Sequence, residues 1–222
     1  MLRDGDDRQD LRGHLIATAA RLIDQRGTAG LAVRDIAREA QVADGALYNY
    51  FEDKEDLLAH ALLAHVGNVM TSAPGIPPAG TGTVADNLRV FIDRGLETLM
   101  RVTPAFAGLV SQPKVLTRFH AMVGGDAAFD PAADDQDSAP SQAGPRGLPE
   151  ILTDYLRAEQ RLGRIDRAAD IESASALVIG TIHGHVLPRI LFNPPGSVVS
   201  APPDLAGRLA ATLLNGIAPR DS

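Results

Sequence analysis

The side chains able to make or break covalent bonds are few, and their spacing does not suit them to it. The 222 residues contain no cysteine, which removes disulfides, thiolate zinc sites and a cysteine nucleophile. His183 has Asp170 and Glu172 upstream, but a helix would hold those acids about three turns or more away, and no phosphate loop or nucleophile motif accompanies them. His120, His183 and His185 lack ligand spacing, because residues two apart on a helix point in different directions. The sequence therefore predicts no catalytic residue, no metal and no cofactor, and not an enzyme. Chemistry of another kind, hydrogen bonding and charge pairing, is concentrated in Arg34, Tyr48, Asn49, Tyr50 and Lys54, beside the small Gly45 and Ala46.

Apolar spacing gives the elements that must position these residues. Leu15, Ile16, Ala19, Ala20 and Ile23 share one face of a helix over Leu11 to Arg26, and Gly27 follows as a stop. Val33, Ile36, Ala37 and Ala40 have the spacing of a two-turn amphipathic helix. Asp44 is placed to cap another short helix, in which Leu47 and Phe51 share a face. Asp53, with Asp56 three positions on, caps a long helix through Leu57, Leu58, Ala61, Leu62 and Val69 that stops before the Pro/Gly-rich segment 73–82. Two short helices joined by a tight turn and braced by a longer one are what a DNA-binding helix-turn-helix requires.

The segment LAVRDIAREAQVADGALYNYFEDKEDLLAHAL resembles the N-terminal signature of TetR-family transcriptional regulators. Ile36-Ala37, Val42, Gly45-Ala46-Leu47-Tyr48, Tyr50-Phe51, Lys54-Glu55 and Leu57-Leu58 stand in the family's order and spacing. The resemblance implies an all-α chain, with a three-helix helix-turn-helix DNA-binding domain expected over 1–56 and a helical ligand-binding and dimerisation domain over 57–222. It further implies a homodimer on a palindromic operator in double-stranded DNA, acting as a repressor released by a small organic ligand; the cytoplasm is the default compartment. With Leu47 and Phe51 turned to the core, Gly45 and Ala46 are small enough for close approach to the major groove, and the Asn49 amide suits adenine. Tyr48 and Tyr50 suit phosphate oxygens, and Arg34 and Lys54, each at a helix start, reach the backbone. Each has a plainer alternative: the tyrosines as packing residues, Lys54 and Asn49 as solvated surface. Arg3, Arg8 and Arg12 are interleaved with Asp4, Asp6, Asp7 and Asp10, so that terminus is read as frayed and nearly neutral rather than as a minor-groove arm.

Where the family commonly has a capping hydroxyl and a turn glycine, this chain has Ala32 and Gln41, so Gln41 is expected to take a left-handed backbone. The formal charge is −7, and residues 1–65 hold eight Lys or Arg against twelve Asp or Glu. Few phosphates are then neutralised per subunit, which predicts weak non-specific binding with a shallow salt dependence. That acidity is the support for the rival reading, a helical ligand-binding or protein-interaction module that does not bind DNA.

The remainder reads as helices without a motif of its own. Only nine of the 222 residues are Phe or Tyr and none is Trp, so the core rests on Leu, Ile, Val and Ala. Helices are expected over Val84 to Val102, between Pro104 and Pro113, and over Val115 to Val123. Others follow over Leu148 to Leu162, Ala168 to about Leu191 with a bend or end at Pro188, and Asp204 to Ile217. Residues 124–147, with five acids and one base, read as a mobile loop. The last two helices are the dimerisation candidates. Phe91, Met100, Phe106, Phe119, Met122, Tyr155 and His183 are the ligand-pocket candidates, each with ordinary core packing as its alternative. The proposed switch is a ligand-biased orientation of the helix from Lys54 to Met70. No secretory leader is evident, and the longest charge-free apolar stretch, Ser173 to Pro188, is too short to span a membrane, so a soluble chain with no membrane partner is expected.

Overall fold

The computed structural model describes residues 3–72, 75–123, 147–192 and 202–216, the side chains of residues 3–8 and 44 excepted. The expected mobile loop thus lies outside the described residues apart from Gly147. Every regular element among them is a helix: α1 (Arg3–Arg26), α2 (Val33–Glu39), a 3-10 helix (Asp44–Asn49), α3 (Lys54–Ser72), α4 (Val84–Ala107), α5 (Pro113–Met122), α6 (Leu148–Arg161), α7 (Ile171–Phe192) and α8 (Leu205–Asn215). The chain divides into two compact units, Met1–Thr71 with Arg101–Pro145 and Ser72–Met100 with Arg146–Ser222. The domain boundary expected after residue 56 falls inside the first of them, in the opening turn of α3.

In the first unit the α1 stripe Leu15, Ala19, Leu22 and Ile23 packs with Ile36, Leu47, Phe51, Leu58 and Leu62 and with Leu109, Val115 and Phe119. Gly27, at φ 70°, ends α1 and donates its amide to the Ile23 carbonyl at 2.8 Å. The chain after it lies against the end of α4, where the buried Thr28 hydroxyl donates to the Ala105 carbonyl at 2.6 Å. Gly108 permits that approach, since a Cβ there would sit 2.4 Å from Thr28 Oγ1 and 2.6 Å from the Ala29 nitrogen. The separate short helix expected between Pro104 and Pro113 is instead the last turn of α4, which continues through Pro104 to Ala107. Proline removes one amide donor, but burial of Val102, Ala105 and Leu109 on either side holds the segment in the core.

The second unit packs Leu88, Phe91, Ile92 and Leu96 of α4 with Leu152, Tyr155 and Leu156 of α6, Ile171, Val178, Ile182 and Val186 of α7, and Ala206 and Ala210 of α8. Gly95 lets α7 approach, a Cβ there falling 2.9 Å from Ile182 Cδ1. A fully buried carboxylate, Glu159, accepts from the Tyr155 hydroxyl at 2.7 Å and the Gly80 amide at 3.2 Å, and lies 3.4 Å from Arg164 Nη1. Arg164 also donates to the Gly82 carbonyl and Asn87 to that of Thr81, so the end of the Pro/Gly segment is fastened to α4 and α6. Burial and then the Glu159 hydrogen bond push the Tyr155 hydroxyl up to about 12. Helix α7 passes Pro188 without ending, and by length and composition it is the one described helix apolar enough to cross a membrane. Its exposed residues include Leu177, Leu187, Leu191 and Phe192.

Candidate nucleic-acid interface

Helix α2 starts after Ala32, whose extended backbone carries no side-chain cap; its amide instead donates to Asp35 Oδ2 at 3.3 Å. The turn that follows is a Schellman motif: the Val42 amide donates to the Ala37 carbonyl at 3.0 Å and the Gln41 amide to that of Arg38 at 3.2 Å. Gln41 occupies the left-handed position at φ 59°, as the sequence predicts. This turn aims the next element, a 3-10 helix after Ala43, whose backbone is extended and whose side chain makes no cap.

That short helix buries Leu47 (2% exposed) and Phe51 just beyond it (4%), and presents Tyr48 (61% exposed) to solvent. Gly45 and Asn49 are exposed with it, Ala46 and Tyr50 are half-buried, and Tyr50 packs partly against the core. Arg34 is exposed on the first turn of α2, and Lys54, half-buried, opens α3. Tyr48, Asp53 and Lys54 line one small cleft with Val33, Leu47, Phe51 and Leu57. Asp53 caps α3 as expected, accepting the Asp56 amide at 2.8 Å. Asp56 reaches back one residue further than a capping box would, to the Glu52 amide at 3.2 Å.

Arg12 departs from the expectation for it, and Arg118 is a cation that no sequence motif singled out. The terminus expected to fray forms the first turns of α1, and Arg12 is turned inward: its Nη2 donates to His60 Nε2 at 2.8 Å and its guanidinium lies 5.1 Å from the centre of the Phe51 ring. That acceptor role leaves the His60 proton on Nδ1, which lies 2.9 Å from the Asp56 carbonyl. Arg118 of α5 forks onto Asp53, at 2.6 Å and 3.0 Å. Its partner stands 65 residues away, so no local spacing marks it.

Part of the sequence and the fold are similar to those of known proteins. Residues 15–61 match the family described as bacterial regulatory proteins, tetR family. The match takes in the helix-turn-helix segment and ends in α3. The HTH-type transcriptional repressor NemR of Escherichia coli K12 is 29% identical over 87 residues, 39% of this chain and 44% of NemR. The HTH-type transcriptional regulator AcrR of Shigella flexneri is 39% identical over 51 residues, 23% of this chain and 24% of AcrR. The chain thus spans less than half the length of the curated relatives it matches. Among solved structures, the transcriptional regulator FadR from Bacillus subtilis, in complex with stearoyl-CoA, shares the fold at a TM-score of 0.55 and 20% identity, over 92% of this chain and 98% of that one. Within the TetR-family match lie Arg34, Gly45, Ala46, Tyr48, Asn49, Tyr50 and Lys54.

The expected ligand-pocket residues divide between the two units. Phe106 and Phe119 meet edge to face at 5.2 Å in the first unit, where Met122 also packs. They border a cavity of about 360 Å³ together with Leu116, Thr117 and His120. Phe91 and Tyr155 are buried in the core of the second unit and Met100 packs against it. His183 lies on the exposed side of α7, 2.9 Å from the carbonyl of Ile179 one turn back. Among the described residues no group of three or more His, Cys, Asp or Glu is placed to hold a metal ion.

Proposed function

We propose that this chain is a DNA-binding transcriptional regulator, a repressor released from a palindromic operator by a small organic ligand. The observation that carries the reading is the exposed Tyr48 beside Lys54 on a TetR-family helix-turn-helix, with Leu47 and Phe51 buried behind them. Tyr48 and Lys54 take phosphates, Asn49 and Ala46 read base edges, and Arg34 adds a backbone contact from the brace helix. The relatives named as a transcriptional repressor and a transcriptional regulator support the reading as a regulator.

A palindrome calls for a two-fold dimer. Ser173, Leu177, Gly180, Gly184, Leu187 and Leu191 recur along α7 at intervals of three and four and are all exposed, and Leu214 of α8 is exposed as well. That apolar stripe, lined with glycines that allow close helix approach, is the face we assign to a second copy rather than to a membrane. A ligand acts by preferring one orientation of α3, and only its difference in affinity between the two orientations releases DNA.

Selection of genomic duplex fragments by the purified protein tests the reading. Enrichment of a palindromic site, lost in Tyr48→Ala and Lys54→Ala, is expected. Absence of any enriched site with folded, dimeric protein would sink it in favour of a helical module that does not bind DNA.

A further inference from the structure

The turn between the 3-10 helix and α3 is a poor place for a phosphate. Glu52, Asp53, Glu55 and Asp56 flank Lys54 in the sequence, four carboxylates to one ammonium. Left alone, the acids would hold the ammonium or repel a phosphate approaching it, since unit charges a few ångströms apart interact strongly at a partly desolvated surface. The structure brings in a counter-charge from α5. Arg118 donates to both oxygens of Asp53, lies 3.3 Å from Glu52 Oε2 and reaches within 3.9 Å of Asp56 Oδ1. Asp53 is the residue that both caps α3 and shares the small cleft with Tyr48 and Lys54. Among the described residues Lys54 itself has no ion-pair partner.

We propose that Arg118 is a positioning residue for DNA binding, which neutralises the Glu52–Asp53–Asp56 corner and so leaves the Lys54 ammonium to a phosphate. The proposal rests on the DNA-binding reading above. It assigns the first unit a basic residue that the local charge balance of residues 1–65 does not contain. Because Arg118 is held to carboxylates, it would act on the phosphate through the field it cancels rather than by contact. An effect of this kind fades as salt screens it, whereas loss of a helix cap or of packing does not.

The test is a titration of fluorescein-labelled duplex, both random-sequence and enriched from genomic fragments, with wild type, Arg118→Ala, Arg118→Lys and the double variant Arg118→Ala/Glu52→Gln. At about 0.05 M salt Arg118→Ala is expected to bind roughly tenfold more weakly than wild type, the gap closing toward about 0.3 M salt. Arg118→Lys keeps the charge and most of the affinity, and Glu52→Gln, which removes an exposed carboxylate, recovers part of the loss. Circular dichroism and the thermal midpoint report whether each variant is folded. Equal binding by wild type and Arg118→Ala overturns the proposal, and so does a loss independent of salt and unrelieved by Glu52→Gln. If wild type binds neither duplex, the DNA-binding reading falls and takes the proposal with it; if wild type binds and the variants do not differ, the proposal falls alone.

Discussion

His65 illustrates how a single residue can carry a measurable property that no motif announces. It is 2% exposed on α3, with Nδ1 3.7 Å from Asp24 Oδ1 and Nε2 without a hydrogen-bond partner. Burial holds its pKa below the usual 6.5, outweighing the Arg101 backbone and Asp24, which act the other way. The unfolded chain therefore takes up this proton before the folded one does. Stability from this site is complete above about pH 6.5 and is lost as the pH falls through the lowered folded value. Thermal midpoints followed from about pH 7.5 to about pH 5.5 should fall more steeply for wild type than for His65→Leu; parallel curves would rule the effect out. The sequence names the residue but not its surroundings, because Asp24 and Arg101 come from two other helices. For the same reason the local pattern that singles out Tyr48 and Lys54 gives no sign that Arg118 pairs with Asp53.

Elements were legible wherever an apolar stripe marked them. The α1 stripe, the Leu47–Phe51 pair and the Asp53 cap all lie where their spacing places them, since each depends on neighbours within one or two turns. The start of α1 was not legible, because residues 3–10 are mostly charged and show no apolar face even though they are helical. The end of α4 was misjudged for a related reason. The local cost of Pro104 is visible in the sequence, while the burial that offsets it comes from distant residues. The turn after α2 gives a sharper test of local reasoning. Gln41 pays for its left-handed backbone, and glycine would relieve that strain at some cost in unfolded-chain entropy. Gln41→Gly should raise stability by about 0.5–1 kcal/mol in urea unfolding. A lower midpoint in the variant would mean that the glutamine side chain contributes more than its backbone costs.

At the scale of the whole molecule the all-α class was readable from apolar spacing and the resemblance, but the partition was not. Phe106 and Phe119 belong to one core and Phe91 and Tyr155 to the other, and aromatic character marks a residue as interior without saying which interior. The stripe on α7 bears on assembly. Leu177→Glu with Leu187→Glu places charge on an exposed face and should leave the fold intact while shifting sedimentation from dimer to monomer. The variant should also lose preference for a palindrome over a half-site. An unchanged dimer would place the two-fold contact elsewhere.

The first unit is discontinuous, its core joining Leu15 and Leu58 to Leu109, Val115 and Phe119. During synthesis α1, α2 and the start of α3 therefore leave the ribosome before the residues that complete their core exist. At about 5–20 residues per second the wait between Leu58 and Phe119 is several seconds, during which Leu57, Leu58 and Leu62 lack their final partners. The core around Leu58 can therefore be completed only after α5 has been made.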